Sequence, residues 1–98
     1  MPDLEFEWDP RKEFANRRKH GISFIEARTV FSDDHALLID DPDHSHKEER
    51  FILLGLSAWP RVLVVSHCYR KGETVIRLIS ARKATRKEQK HYNERWRR

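Results

Sequence analysis

An arginine interrupts an otherwise apolar run in VIRLI, residues 75–79. Strand-forming residues surround it, so Arg77 stands where an apolar side chain is expected. A guanidinium fixed on a sheet is suited to steadying negative charge as it develops on a phosphate. Cleaving RNA without a metal asks for a base to take the 2′-hydroxyl proton, cations for the phosphorane and an acid for the leaving oxygen. The chain offers candidates for each. Arg50, Arg77 and Arg82 supply cationic charge; His67 or Glu49 supplies a base; His67, Tyr92 or His20 supplies an acid. Lys19, His20, Lys83, Arg86 and Lys87 add positive charge for an RNA backbone. Structural readings compete: Arg77 can close a salt bridge within the sheet, for example to Glu49, and Tyr92 can pack on the sheet.

The segment DPDHSHKEERF, residues 41–51, suggests a second chemistry. His44-Ser45-His46 has the spacing that puts two imidazoles on one face of a strand, with Asp43 or Glu48 as oxygen donors. Pro42 and the surrounding acids instead indicate a loop. No cysteine or second histidine pair completes a tetrahedral set, so no metal and no cofactor are expected. Interest moves to Glu49 and Arg50, which enter the next strand on opposite faces.

Elements must place these groups. LEFEW, residues 4–8, alternates and reads as a strand with Leu4, Phe6 and Trp8 on one face. Asp9-Pro10 starts a helix and Gly21 stops it. Ser23 and Glu26 form a capping box for a second helix, with Phe24, Ala27, Val30 and Phe31 on one face, ended by Asp33-Asp34. Ala36–Ile39, Arg50–Ser57, Val62–Tyr69 and Thr74–Ala81 read as strands. Gly72 sits in the turn before the last of them. The short connections imply an antiparallel meander. Thr85 and Glu88 form another capping box, opening a basic helix whose free N–H groups offer a phosphate site. The sum is one α+β domain over residues 1–98: an N-terminal strand, two helices, a three- to four-stranded antiparallel sheet and a C-terminal helix. Regular alternation puts Arg77 with Val75 and Ile79, and His67 with Val65 and Tyr69. The hairpin brings Arg77 and His67 within a few positions of register.

Composition narrows the class. Charged residues are 37% and apolar ones 38%, with a net charge of +4, so one modest core is wrapped in charge. The charge is segregated. Residues 1–9 sum to −4, 10–28 to +4, 32–49 to −6, 50–81 to +4 and 82–98 to +6. Three basic segments carrying aromatics and histidines favour nucleic acid as the partner. The apolar runs are too short to span a bilayer, the acidic N-terminus lacks the pattern of a signal peptide, and Cys68 is the only cysteine. A cytoplasmic protein is expected.

The longer runs resemble a known family. FEWDPRKEFANRRKHGISFIEARTVFSD, DPDHSHKEERF, GLS and RLISARKATRKEQKHY are similar to BrnT, the toxins of type II toxin–antitoxin pairs. The resemblance covers roughly residues 6–92. It implies a RelE-like compact fold and a ribonuclease that needs no metal, arrests translation and so stops growth. It also implies a BrnA-like antitoxin carrying a DNA-binding domain. The pair would form a heterotetramer that represses its own operon, touching operator DNA only through the antitoxin. Arg50, Arg77, Arg82 and Tyr92 are the residues the pattern carries over, without assigning their roles. A non-catalytic module that binds nucleic acid or protein through the same basic faces is the competing class. Growth arrest relieved by the antitoxin separates the two.

Overall fold

Local signals place most of the elements. The computed structural model describes residues 4–41, 49–72 and 74–96, with side chains as far as residue 94. In chain order the elements are β1 (Glu5–Glu7), α1 (Pro10–His20), α2 (Phe24–Thr29), a 3₁₀ turn (Val30–Ser32), β2 (Leu37–Asp40), β3 (Phe51–Leu56), β4 (Val62–Arg70), β5 (Val75–Lys83) and α3 (Arg86–Trp96). Asp9 caps α1 by accepting from the Arg11 N–H at 2.8 Å, and Gly21 closes it at φ 72°. A side chain would be strained at that φ, which is why glycine stands there. No helix among the described residues is long and apolar enough to cross a membrane.

The strands form one sheet in the order β1-β5-β4-β3-β2. The meander β2-β3-β4-β5 is antiparallel, as expected. The N-terminal strand corrects the expected count. It joins the sheet as a fifth strand, parallel to β5, with Phe6 beside Ile76 and Glu7 beside Arg77. Phe6 and Trp8 pack into the core, while Leu4 stays about half exposed.

Each sheet face buries its own cluster. On one, α1 and α2 cover Leu53, Leu63, Val65, Ile76, Leu78 and Ala81, with Ile22, Phe24, Ala27 and Val30 closing the layer. Truncating a fully buried phenylalanine such as Phe24 to alanine costs about 3–5 kcal/mol. On the other face α3 sends Tyr92 onto Leu54, Val62 and Val64. α2 is shorter than its apolar spacing suggests, since its last turn tightens to 3₁₀ at Val30–Ser32. This keeps Val30 against β3. A side chain added at Gly55 would meet Val30 Cγ1 at 2.8 Å and Ala36 Cβ at 2.9 Å, so glycine there permits the close approach.

Candidate nucleic-acid interface

Residues opposite each other on paired strands project to the same face. Phe51 pairs with His67 and packs on the His67 and Tyr69 rings, toward α1 and α2. Arg50, one residue earlier, therefore projects to the α3 side. On the β2 side Arg50 stays tied to the sheet, since the Asp41 N–H donates to its carbonyl at 3.0 Å. The β3–β4 register ends at Phe51–His67; extended by one step it sets Arg50 beside Cys68, which pairs with Arg77. Arg82 pairs with Val64 and shares that face. All three arginines thus project from one side of the sheet. At about 4.8 Å per strand, the Arg50 and Arg77 stems stand about 10 Å apart across Cys68. Arg82 lies about 16 Å further along β5, at about 3.3 Å per residue.

Their charges differ in what opposes them. Arg77 donates to Glu7 Oε2 at 2.7 Å, a bond that raises its pKa. The structural alternative thus holds, with Glu7 of β1 in place of Glu49 as the acid. Among the described residues, four of its five guanidinium N–H donors are left over. Arg82 is clamped more fully, giving one nitrogen to each Glu88 oxygen at 2.8 and 2.9 Å. Among the described residues Arg50 makes no ion pair, and its buried Nε–H has no hydrogen-bond partner. Leaving a buried donor in that state costs about 1–3 kcal/mol, and such costs call for a functional or local explanation.

The hairpin register separates Arg77 from His67. Residues 71–74 connect Arg70 to Val75, so His67 pairs with Leu78 and the two candidates face opposite ways. A bulge at Ser66/His67 leaves Ile79 as the extra residue on β5. His67 is fully buried, with ring centroids of Phe31 and Tyr69 at 4.9 and 5.3 Å. Burial pushes its pKa down to about 4. Its Nδ1 lies 3.3 Å from the Val65 carbonyl, which can only accept, so the ring proton belongs on Nδ1. The expected base or acid is thus a neutral, fully buried core histidine. Tyr92 meets a similar limit. It is 3% exposed and gives its O–H proton to Asp33 Oδ2 at 2.6 Å, so its expected role as an acid gives way to packing.

The α3 start is also committed. Thr85 Oγ1 accepts from the Glu88 N–H at 3.2 Å, and Glu88 Oε1 accepts from the Thr85 N–H at 2.8 Å. The box forms as expected, but it lays a carboxylate over the helix start where a phosphate was expected. The Arg82 clamp holds Glu88 down to a pKa of about 2, so that charge persists. Lys83, Arg86 and Lys87 are exposed around this corner. An open groove of about 340 Å³ follows along α3, lined by Arg86, Gln89, Lys90, Asn93 and Glu94. Glu49 is exposed beside Arg50. Lys19 and His20 end α1 and so belong to the other face of the sheet, away from the arginines. His44 and His46 lie outside the described residues. Among those described, no three His, Cys, Asp or Glu residues gather as a metal site.

Three polar anchors were missed in the sequence. Asn16 is the one buried side chain of α1; it donates to the Ile22 and Ala81 carbonyls and accepts from the Ala81 N–H. Glu26, expected to reach back to its own helix start, instead takes both Arg61 nitrogens at 2.7 and 2.6 Å and the Ser57 hydroxyl at 2.8 Å. The Arg61 bond leads in holding Glu26 below its usual pKa. Burial pushes Asp33 up, but donation from the Leu56 N–H, the Tyr92 hydroxyl and the His35 N–H outweighs it and keeps the carboxylate charged. An asparagine inside a basic helix and a capping-box glutamate carry no local sign of such distant partners.

Comparison with known proteins now bears on this arrangement. No curated protein matched the chain. Two solved chains match. One is the Brucella abortus ribonuclease toxin BrnT, a 1.1 Å crystal structure that superposes with a TM-score of 0.63 at 21% identity, covering 86% of this chain and 100% of that one. At that identity the likeness speaks for the fold. The family described as the ribonuclease toxin BrnT of type II toxin–antitoxin systems matches residues 8–88. A match over that much of the sequence decides the assignment: the chain belongs to the BrnT family of ribonuclease toxins of type II toxin–antitoxin systems.

Proposed function

We propose that this chain is an endoribonuclease toxin whose cleaving surface is the α3 side of the sheet, centred on Arg50 and Arg77. The observation that carries the reading is that Arg50 and Arg77 project from one face of the sheet with β4 between their strands, and that Arg50 has no ion-pair partner among the described residues. Their stems lie on either side of β4, and an RNA phosphate there draws on the Arg77 N–H groups that Glu7 does not take. The RNA 2′-hydroxyl attacks the adjacent phosphorus while a base removes its proton. The P–O5′ bond breaks, O5′ takes a proton from solvent water, and the products are a 2′,3′-cyclic phosphate and a 5′-hydroxyl end. Arg50 and Arg77 meet the charge of the phosphorane. Glu49, exposed beside Arg50, is the candidate base. Arg82 serves as a positioning residue that fixes α3 to β5. Lys83, Arg86 and Lys87 hold the strand as it leaves. His67, Tyr92, Lys19 and His20 take no part in RNA contact.

The mechanism is RelE-like in relying on sheet arginines and needs no metal. The partner is a BrnA-like antitoxin, whose complex, a heterotetramer, represses the operon through the antitoxin's contact with DNA. The toxin acts in the cytoplasm, where RNA is translated. The test is purified protein on RNA with and without EDTA. We expect equal cleavage and cyclic-phosphate ends in both. Loss of cleavage in chelator removes the metal-independent step, and an absence of cleavage in every condition leaves the non-catalytic binding module.

A further inference from the structure

We propose that the antitoxin anchors on the α1–α2 side of the molecule, on an apolar and cationic surface built by Phe14, Ile25 and Trp59. These side chains are 55%, 54% and 52% exposed, so each leaves a large apolar group in water. Singly they would need no explanation. Hydrogen bonds link the elements that carry them. Glu13 accepts from the Phe24 N–H at 3.3 Å, which places Phe14 and Ile25 each one residue from a shared contact. Thr29, one helical turn after Ile25, accepts from the Ala58 N–H at 2.9 Å, which brings the Trp59 turn to the same helix. The reason Phe14 faces outward is local: α1 docks through Asn16, so its apolar ring is not needed inside.

The exposed charges on α1 and α2 have one sign. Lys12, Arg18, Lys19 and Arg28 are exposed, and the Arg18 guanidinium lies 5.8 Å from the centre of the Phe14 ring. The two carboxylates between residues 10 and 30 are engaged: Glu13 pairs with Arg17 at 3.3 Å, and Glu26 is buried against Arg61. The complementary partner is an acidic segment with apolar side chains along one face. The family makes an antitoxin the protein partner, so this inference rests on the toxin reading. RNA fits less well, because Ile25 offers no ring for a base to stack on and the arginine row lies across the sheet. A stable interface needs about 800 Å² on each side, so the antitoxin segment must follow α1 and α2 beyond the three apolar contacts.

The experiment is calorimetric titration of the purified chain with the antitoxin encoded beside its gene, alongside RNA cleavage by the free chain. Phe14→Glu and Ile25→Glu are expected to weaken Kd at least about 30-fold, the scale of losing a central hot-spot side chain. Cleavage by the free variants stays within about threefold and their thermal melting is unchanged, since neither side chain is buried. Trp59→Ala provides a milder third variant with the same direction. Unchanged affinity in all three overturns the proposal, as does wild-type protein that binds no such partner. Reduced cleavage with unchanged affinity reassigns the surface to RNA. Wild-type protein that binds the antitoxin through this surface yet cleaves no RNA overturns the ribonuclease reading and leaves the docking inference standing.

Discussion

The two faces of the sheet use polar residues in opposite ways. Toward α1 and α2, each buried polar group is met: Asn16 by backbone, Glu26 by Arg61 and Ser57, and His67 by Val65 and the surrounding rings. Toward α3, the helix covers Leu54, Val62 and Val64, and the arginines stand on the rest of that face. There Arg77 is answered by a single carboxylate contact, Arg82 by two, and Arg50 by none among the described residues. A satisfied polar group rigidifies a core, whereas an uncompensated cation on a partly open face is free to bind a phosphate. His67 and Tyr92, two candidates for proton transfer, are spent on the closed side and on packing.

Substitutions can break this division, and the largest effect belongs to the open face. Arg77→Ala should lower RNA cleavage about 100- to 1000-fold, the loss typical of one charge-stabilising donor, while thermal melting changes little. Single-turnover kinetics with circular dichroism would check both halves. Next comes acid. His67 folds with a pKa of about 4 against 6.5 in the unfolded chain, so folding favours its neutral form. Stability is then full above about pH 6.5 and falls as the pH drops through that window toward 4, by about 3 kcal/mol. Urea unfolding at several pH values should show the slope, and His67→Phe should flatten it.

Glu26→Gln tests the closed face without titration. Breaking a buried pair costs about 3–5 kcal/mol, but Arg61 is about one-third exposed, so about 2–3 kcal/mol is expected. Cleavage per folded molecule should not move. Tyr92→Phe is the smallest of the set. It removes one hydrogen bond to a carboxylate, about 1–2 kcal/mol by urea midpoint, with cleavage unchanged. A large loss of cleavage in Tyr92→Phe would return that residue to the chemistry.

Elements signalled within a few residues were legible: the Asp9 cap, the Gly21 stop, the Thr85–Glu88 box and the β-branched runs of β4 and β5. The parallel pairing of β1 was not, because Glu7 meets Arg77 across 70 residues with no turn to announce it. Candidate chemistry divides along the same line. Arg77 was visible as a charge in an apolar strand, and Arg50 and Arg82 as charges at strand ends that the family pattern also marks. Whether His67 shared their face depended on the hairpin register. A four-residue connection turns it inward, and nothing in the composition of VLVVSHCY distinguishes a buried ring from a reactive one. Glu26 misled for a related reason: a capping box reads as a closed local unit, yet the better donor was Arg61, which pairs in both positions at once.

The division between the faces is tested most directly by single-turnover cleavage of one RNA by two folded proteins, Arg77→Ala and His67→Phe. The account predicts that Arg77→Ala loses about 100-fold or more and that His67→Phe stays within about threefold of the unchanged chain. Full activity in Arg77→Ala together with a collapse in His67→Phe would contradict it.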